Sequence, residues 1–390
     1  MAACLIVAAL AALRPPPPAA RARVVATAAA GLIPPAVDEV EEPAARDAAS
    51  AVESVVLELP GRGSVRTSFI CSGAAANDET PPLLLLHGFD SSCLEFRRLM
   101  PRLASLGLEA YAVDILGWGF TDTSLLAPAS DRIGVAAKRA QLQAFCDVVL
   151  GGRPAVGIGA SLGAAVLTDL AAAAPATLAK AVLLDPQSFI EGTPEIPGGE
   201  LGARAGIRVL SSWPLRWAAN QLAYSDKGAM ATDDAIRVGL LHCGRNGWED
   251  DQVEWLRGDG YAVADLVRPT FAEIPTLVLW GRDDQILPPA DYLPNFVDAL
   301  PSATFRFVDA CGHVPHLEQP NAAAAAIGDF TRGEGVPGDD ADVRALCDDA
   351  RRKAEIVAMA RGALEQAQAS AGDVARRAYA ALRPNGDDQN

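Results

Sequence analysis

Residues 154–165 read PAVGIGASLGAA (Pro154–Ala165), and this stretch decides the fold. The apolar run Val156–Ile158 ends in Gly159-Ala160-Ser161-Leu162-Gly163, and an alanine-rich helical pattern follows. A glycine–x–serine–x–glycine turn between strand and helix places the serine hydroxyl on a sharp, exposed corner. The two glycines are expected where strand and helix come too close for side chains. A helix beginning just past Ser161 aims its free N–H groups and its dipole at the reacting centre. The pentapeptide alone also fits a tight turn in any protein of alternating strands and helices. The rest of the chain decides between the two.

Outward from this corner, strand and helix patterns alternate. Pro82–Leu86 is a continuous apolar run ending in His87-Gly88-Phe89-Asp90. Runs of that kind belong to parallel sheets buried on both faces. Ala110–Val113 precedes the Gly-rich Asp114-Ile115-Leu116-Gly117-Trp118-Gly119-Phe120, and Ala181–Leu184 ends in Asp185-Pro186. Thr276–Trp280 and Thr304–Val308 are two further strands, and Ser54–Leu59 with Val65–Cys71 reads as a hairpin. Helical patterns at Leu94–Leu106, Val135–Leu150, Tyr292–Leu300 and Asn321–Phe330 fall between them. The expectation is an α/β fold with a mainly parallel, eight-stranded sheet and helices on both faces. Residues 189 to about 270 break the alternation and hold four of the six tryptophans, Trp213, Trp217, Trp248 and Trp255. They read as an inserted helical cap.

Two polar stretches follow late strands. Trp280-Gly281-Arg282-Asp283-Asp284 supplies carboxylates, and Cys311-Gly312-His313-Val314-Pro315-His316 supplies imidazoles. Sites in open α/β sheets form at the carboxyl ends of strands, where Ser161, Asp284 and His313 all fall in the chain order Ser…Asp…His. A serine hydroxyl becomes a strong nucleophile when a histidine removes its proton and a carboxylate orients that histidine. The developing oxyanion needs backbone donors, for which the N–H groups of Leu162 and Phe89 are the candidates. Asp185 is an alternative position for the acid. Asp283 reads as a loop or capping residue, His87 and His316 as structural, and Cys93 as an apolar filler.

The strings LLLLHGFD, DILGWGF, GASLGAA, LWGRDD and CGHVPHLEQP resemble the α/β-hydrolase superfamily over roughly Glu53–Arg332. HGFDSSCLEFRR and DILGWGFTD further resemble plastid-directed hydrolases of plants and algae. The resemblance implies Ser161 as nucleophile, Asp284 as acid, His313 as base, and a cap over the pocket. It implies a serine hydrolase that cleaves a carboxylic ester, with an apolar or lipid-like acyl group favoured and no cofactor. A ligand receptor with little turnover is an alternative on the same fold. Thioesterase, C–C bond hydrolase and haloperoxidase-like chemistry are others. The serine at position 161 argues against the relatives that use aspartate as nucleophile.

Composition limits the partners. The 390-residue chain is half hydrophobic and carries a formal charge of −16, which argues against nucleic acid. Seven scattered cysteines show no metal-ligand spacing and no disulfide framework. No uncharged run reaches the length of a membrane span. Residues 1–50 read as a targeting leader, cleaved or disordered: an apolar Met1–Leu13, then Arg14 and a proline run, and no acidic residue before Asp38. Such a leader resembles those directed to a plastid, and another organelle or the secretory route is the alternative. The hydrolase domain is expected over 51–332. From Gly333 an acidic linker leads into an alanine-rich helical extension, the two together spanning 333–390, and the extension reads as one or two solvated helices, with a surface for a partner as the alternative.

Overall fold

The computed structural model describes residues 27–28, 31–74, 80–129, 131–193 and 197–381. Its sheet runs in the order β1 (Thr27–Ala28), β2 (Val52–Leu59), β3 (Gly63–Cys71), β5 (Ala110–Val113), β4 (Leu83–Leu86), β6 (Ala155–Ala160), β7 (Leu178–Leu184), β8 (Thr276–Gly281) and β9 (Thr304–Val308). The eight expected strands are present, and the two-residue β1 adds a ninth at the edge. β1, β2, β3 and β5 join antiparallel in turn, and every later pairing, from β5–β4 to β8–β9, is parallel. The parallel strands therefore end at one edge, where the loops carrying Ser161, Asp185, Asp284 and His313 emerge.

The central strands are apolar because both faces are covered. Every residue of β4, β6 and β8 is buried. The two faces feed separate clusters, one around Leu84, Leu86 and Phe145, the other around Leu83, Leu85 and Ile158. The DILGWGF stretch folds around one carboxylate. Asp114 accepts the N–H of Cys93 at 2.5 Å, the N–H of Phe120 at 2.8 Å and the Ser68 hydroxyl at 2.5 Å. A side chain at Gly119, which sits at φ 57°, would overlap that carboxylate.

Two boundaries and the packing of the extension differ from the expectation. Leader residues 1–26 lie outside the described residues, but 31–50 do not. Val40, just after the turn Pro35–Glu39, and Ala45, Ala48 and Ala49 of the helix Pro43–Ser50 pack into the core. Glu42 also holds Arg97 at 2.8 Å and Arg98 at 2.7 Å. An alanine-rich helix can approach the body closely because its side chains are single methyl groups, and composition does not show which face is buried. The inserted segment forms helices Gly199–Leu210, Trp213–Ala223, Asp233–Leu240 and Trp248–Leu256, with a small core of Ala203, Ile207, Trp248 and Val253. The next helix, Ala264–Phe271, already belongs to the main body, since Val267 and Phe271 join its core. The extension is a single helix, Asp340–Ala381. Its first turns dock on the sheet through Val343 and Cys347, whereas Ile356, Val357 and Met359 are exposed. Among the described residues no helix is long and apolar enough to cross a membrane.

Candidate active site

Ser161 sits at the end of β6 with φ 49°, a left-handed conformation that serine adopts only under constraint. The constraint is close packing. A Cβ at Gly163 would lie 2.2 Å from the Leu86 carbonyl oxygen, and one at Gly159 would lie 2.6 Å from the Gly163 carbonyl oxygen. The Ser161 N–H donates to Leu184 at 2.9 Å, and its carbonyl accepts from Ala164 and Gln187 at 3.0 Å. The helix Gly163–Ala173 then begins beneath it.

Asp284 and His313 come from the loops after β8 and β9. Gly281 and Gly312 let these loops touch, since a Cβ on Gly281 would lie 1.8 Å from the Gly312 carbonyl oxygen. Asp284 Oδ2 lies 2.8 Å from His313 Nδ1. Asp284 Oδ1 accepts the N–H groups of Ile286 and Leu287 at 2.8 and 2.9 Å. Both residues are buried. Asp283 points elsewhere and accepts the Ser225 hydroxyl at 2.7 Å. Nδ1 of His313 is taken by Asp284, which leaves Nε2 as the ring nitrogen without that partner. The two side chains line one cavity of about 340 Å³ between body and cap. The Ser161 hydroxyl makes no hydrogen bond to His313, a contact that such sites often complete only in the transition-state complex.

Phe89 and Leu162 flank Ser161. Gly88 approaches so closely that a Cβ there would lie 3.4 Å from Ser161 Cβ. Among the described residues neither the Phe89 nor the Leu162 N–H has a partner in the loops. The loop is braced from below. His87 Nδ1 lies 2.8 Å from the Gly88 carbonyl and its Nε2 accepts the Ile115 N–H at 3.1 Å, so His87 is neutral and structural. Burial lowers its pKa in agreement. Glu95 accepts the Gly88 N–H at 3.1 Å and pairs with His316 at 3.0 Å. Burial opposes the Glu95 charge, but the His316 bond outweighs it and holds the carboxyl at about 2. Cys93 is fully buried and its thiol is pushed well up by burial, as befits a filler.

Sequence reasoning missed one cluster. Asp90, at φ 46°, follows Phe89 and gathers three side chains of the cap. Its carboxylate binds Arg216, His242 Nε2 at 2.9 Å and Trp248 Nε1 at 3.2 Å. These three partners lie on three different cap elements, so Asp90 clamps the cap to the loop that carries Phe89. The Asp in HGFD was a visible signal, but its partners are over a hundred residues away. Cap and body are joined a second time by Asp251, which binds Arg132 and Arg245, both at 2.7 Å. A larger cleft of about 870 Å³, walled by Arg132, Arg204, Glu254 and Tyr261, includes neither Ser161 nor His313.

The alpha/beta hydrolase family model matches residues 83–327, more than half of the chain. The alpha/beta hydrolase domain-containing protein VTE7 of Arabidopsis thaliana is 35% identical over 309 residues, covering 77% of this chain and 90% of its own length. A pimeloyl-acyl-carrier-protein methyl ester esterase of Aromatoleum aromaticum is 27% identical over 281 residues, 65% of this chain and 99% of its own. Among solved structures, a thermophilic esterase from Thermogutta terrifontis superposes with a TM-score of 0.57 at 20% identity. It covers 72% of this chain and 98% of that one, and speaks for the fold alone. The chain belongs to the alpha/beta hydrolase family.

Proposed function

We propose that this chain is a serine hydrolase that cleaves a carboxylic ester with an apolar acyl group. The observation that carries the reading is the 2.8 Å Asp284–His313 contact placed in the same cavity as a constrained Ser161. In this reading His313 Nε2 takes the Ser161 proton as Oγ attacks the ester carbonyl. Asp284 holds the ring and offsets its positive charge. The Leu162 and Phe89 N–H groups receive the oxyanion, helped by the N-terminus of the helix Gly163–Ala173. The alcohol leaves, and a water activated by His313 then releases the acid.

The apolar preference rests on the cavity walls, which include Leu94, Leu215, Val238, Ile286, Val314 and Leu317. The volume lies at the lower end of small-molecule sites, which suits a single acyl chain of modest length. The esterase names among the relatives agree with ester chemistry. A plastid location remains part of the proposal, supported by the acid-poor leader and the plant relative. The test is a panel of nitrophenyl esters of increasing acyl length. Turnover that peaks at medium length is expected. Stoichiometric acylation without turnover on every ester would favour a receptor instead.

A further inference from the structure

Beside the Asp284–His313 pair lies a buried carboxyl group that the mechanism above leaves unused. Asp185 follows β7 with φ 41° and is fully buried. One oxygen of Asp185, one of Asp284 and a ring nitrogen of His313 lie within 4.8 Å of one another. Asp185 Oδ1 accepts the Gly281 N–H at 2.8 Å. Among the described residues nothing donates to Asp185 Oδ2, and that atom is shut off from solvent. A buried carboxylate oxygen with no donor is costly, and two buried carboxylates side by side are costlier.

One proton removes both costs, and the surroundings decide where it sits. Asp284 has the Ile286 and Leu287 N–H groups and His313 Nδ1, all of which favour its anion. Asp185 has one N–H. His313 also lies near Asp185, but its Nδ1 is engaged by Asp284. Glu318 and Cys311, which face Asp185 too, supply no positive charge. We propose that Asp185 is a neutral carboxylic acid whose Oδ2–H donates to Asp284, which makes it a positioning residue for the Asp284–His313 pair. The bond satisfies the orphaned oxygen, limits the site to one negative charge, and restrains rotation of the Asp284 carboxylate. Burial and the Asp284 charge push the Asp185 carboxyl well above its usual range, in agreement. A carboxylic acid kept neutral by an apolar site so that it can donate has precedent in enzyme chemistry.

The kinetic arm of the test rests on the hydrolase reading, and the spectroscopic arm does not. Asp185→Asn keeps a donor toward Asp284 and an acceptor for Gly281, and asparagine tolerates the left-handed φ. It should retain kcat within about threefold at unchanged KM. Asp185→Gly also tolerates the φ but deletes the donor, and kcat should fall about tenfold or more with KM unchanged. At neutral pH the wild-type infrared spectrum should contain the carbonyl stretch of a protonated carboxyl group, absent from Asp185→Asn. The proposal is overturned if that band is missing, or persists in Asp185→Asn. It is also overturned if folded Asp185→Asn loses as much kcat as Asp185→Gly, or if a chelator abolishes wild-type activity, since a cation would then be neutralising the pair. A chain that hydrolyses no ester leaves the infrared result to decide alone.

Discussion

The Asp90 clamp should make stability depend on the charge of His242. Burial works against that charge, but Cys243 and Asp90 outweigh it and hold the imidazole at about 9, against its ordinary 6.5. At roughly 1.36 kcal/mol for each tenfold in proton affinity, this elevation is worth about 3 kcal/mol. The folded-state value is raised, so this stabilisation is fully present below pH 6.5 and is lost as pH rises through about 9. Lys138 acts with the opposite sign. Burial lowers it to about 7 from 10.5, so it adds stability as pH rises across that interval. The buried thiols of Cys71, Cys93, Cys146 and Cys311, pushed up by burial, add a further loss above about pH 9. The wild-type slope therefore mixes several groups, and the difference between wild type and His242→Gln isolates one. Glutamine keeps a donor near Asp90 but cannot titrate. Urea unfolding at pH 6 and pH 9.5 should show the advantage of wild type over His242→Gln shrinking by most of that 3 kcal/mol. An advantage that stays constant across the two pH values would refute the charged clamp.

Three further expectations follow from the same structure. Asp284→Asn should lower kcat by a factor on the order of 10⁴, the cost of the wrong imidazole tautomer in the serine-protease template, whereas Asp283→Asn should cost less than about tenfold; equal losses would misplace the acid. A chain ended at Arg332 keeps every site residue but loses Val343 and Cys347 from the core, so it should stay active while losing about 2 kcal/mol or more of stability. One ended at Lys353 should match the full chain in both respects, and a loss of turnover in the folded, shorter chain would give the extension a role in the site. Mass spectrometry after import into isolated chloroplasts should find the new N-terminus before Leu32, because residues 32–50 are packed; a start after residue 50, or no import, would contradict this.

The sheet was legible in the sequence because its central strands are unbroken apolar runs, and because glycine marks each place where backbones meet. Gly159, Gly163 and Gly281 are required by contacts under 3 Å that any side chain would create. The residues on the loops after β6, β8 and β9 could be placed for the same reason, since strand ends fix loop positions. What escaped notice depends on distant partners. Asp90 looks like an ordinary turn residue until Arg216, His242 and Trp248 converge on it. Asp185 reads as a rival to Asp284 until the structure shows the two side by side. The helix at Pro43–Ser50 hid inside a leader composition because alanine gives no strong periodic signal, and only contact with the body reveals a buried face.

The most direct measurement of the central claim pairs a fluorophosphonate probe with ester turnover in wild type and Ser161→Ala. The hydroxyl is the atom to be acylated, so wild type should label at Ser161 and turn over repeatedly. Ser161→Ala should fold with an unchanged circular dichroism spectrum, refuse the label, and lose turnover to the background rate. Near-native turnover in purified Ser161→Ala, or labelling of a different residue in wild type, would contradict the assignment of Ser161 as the nucleophile.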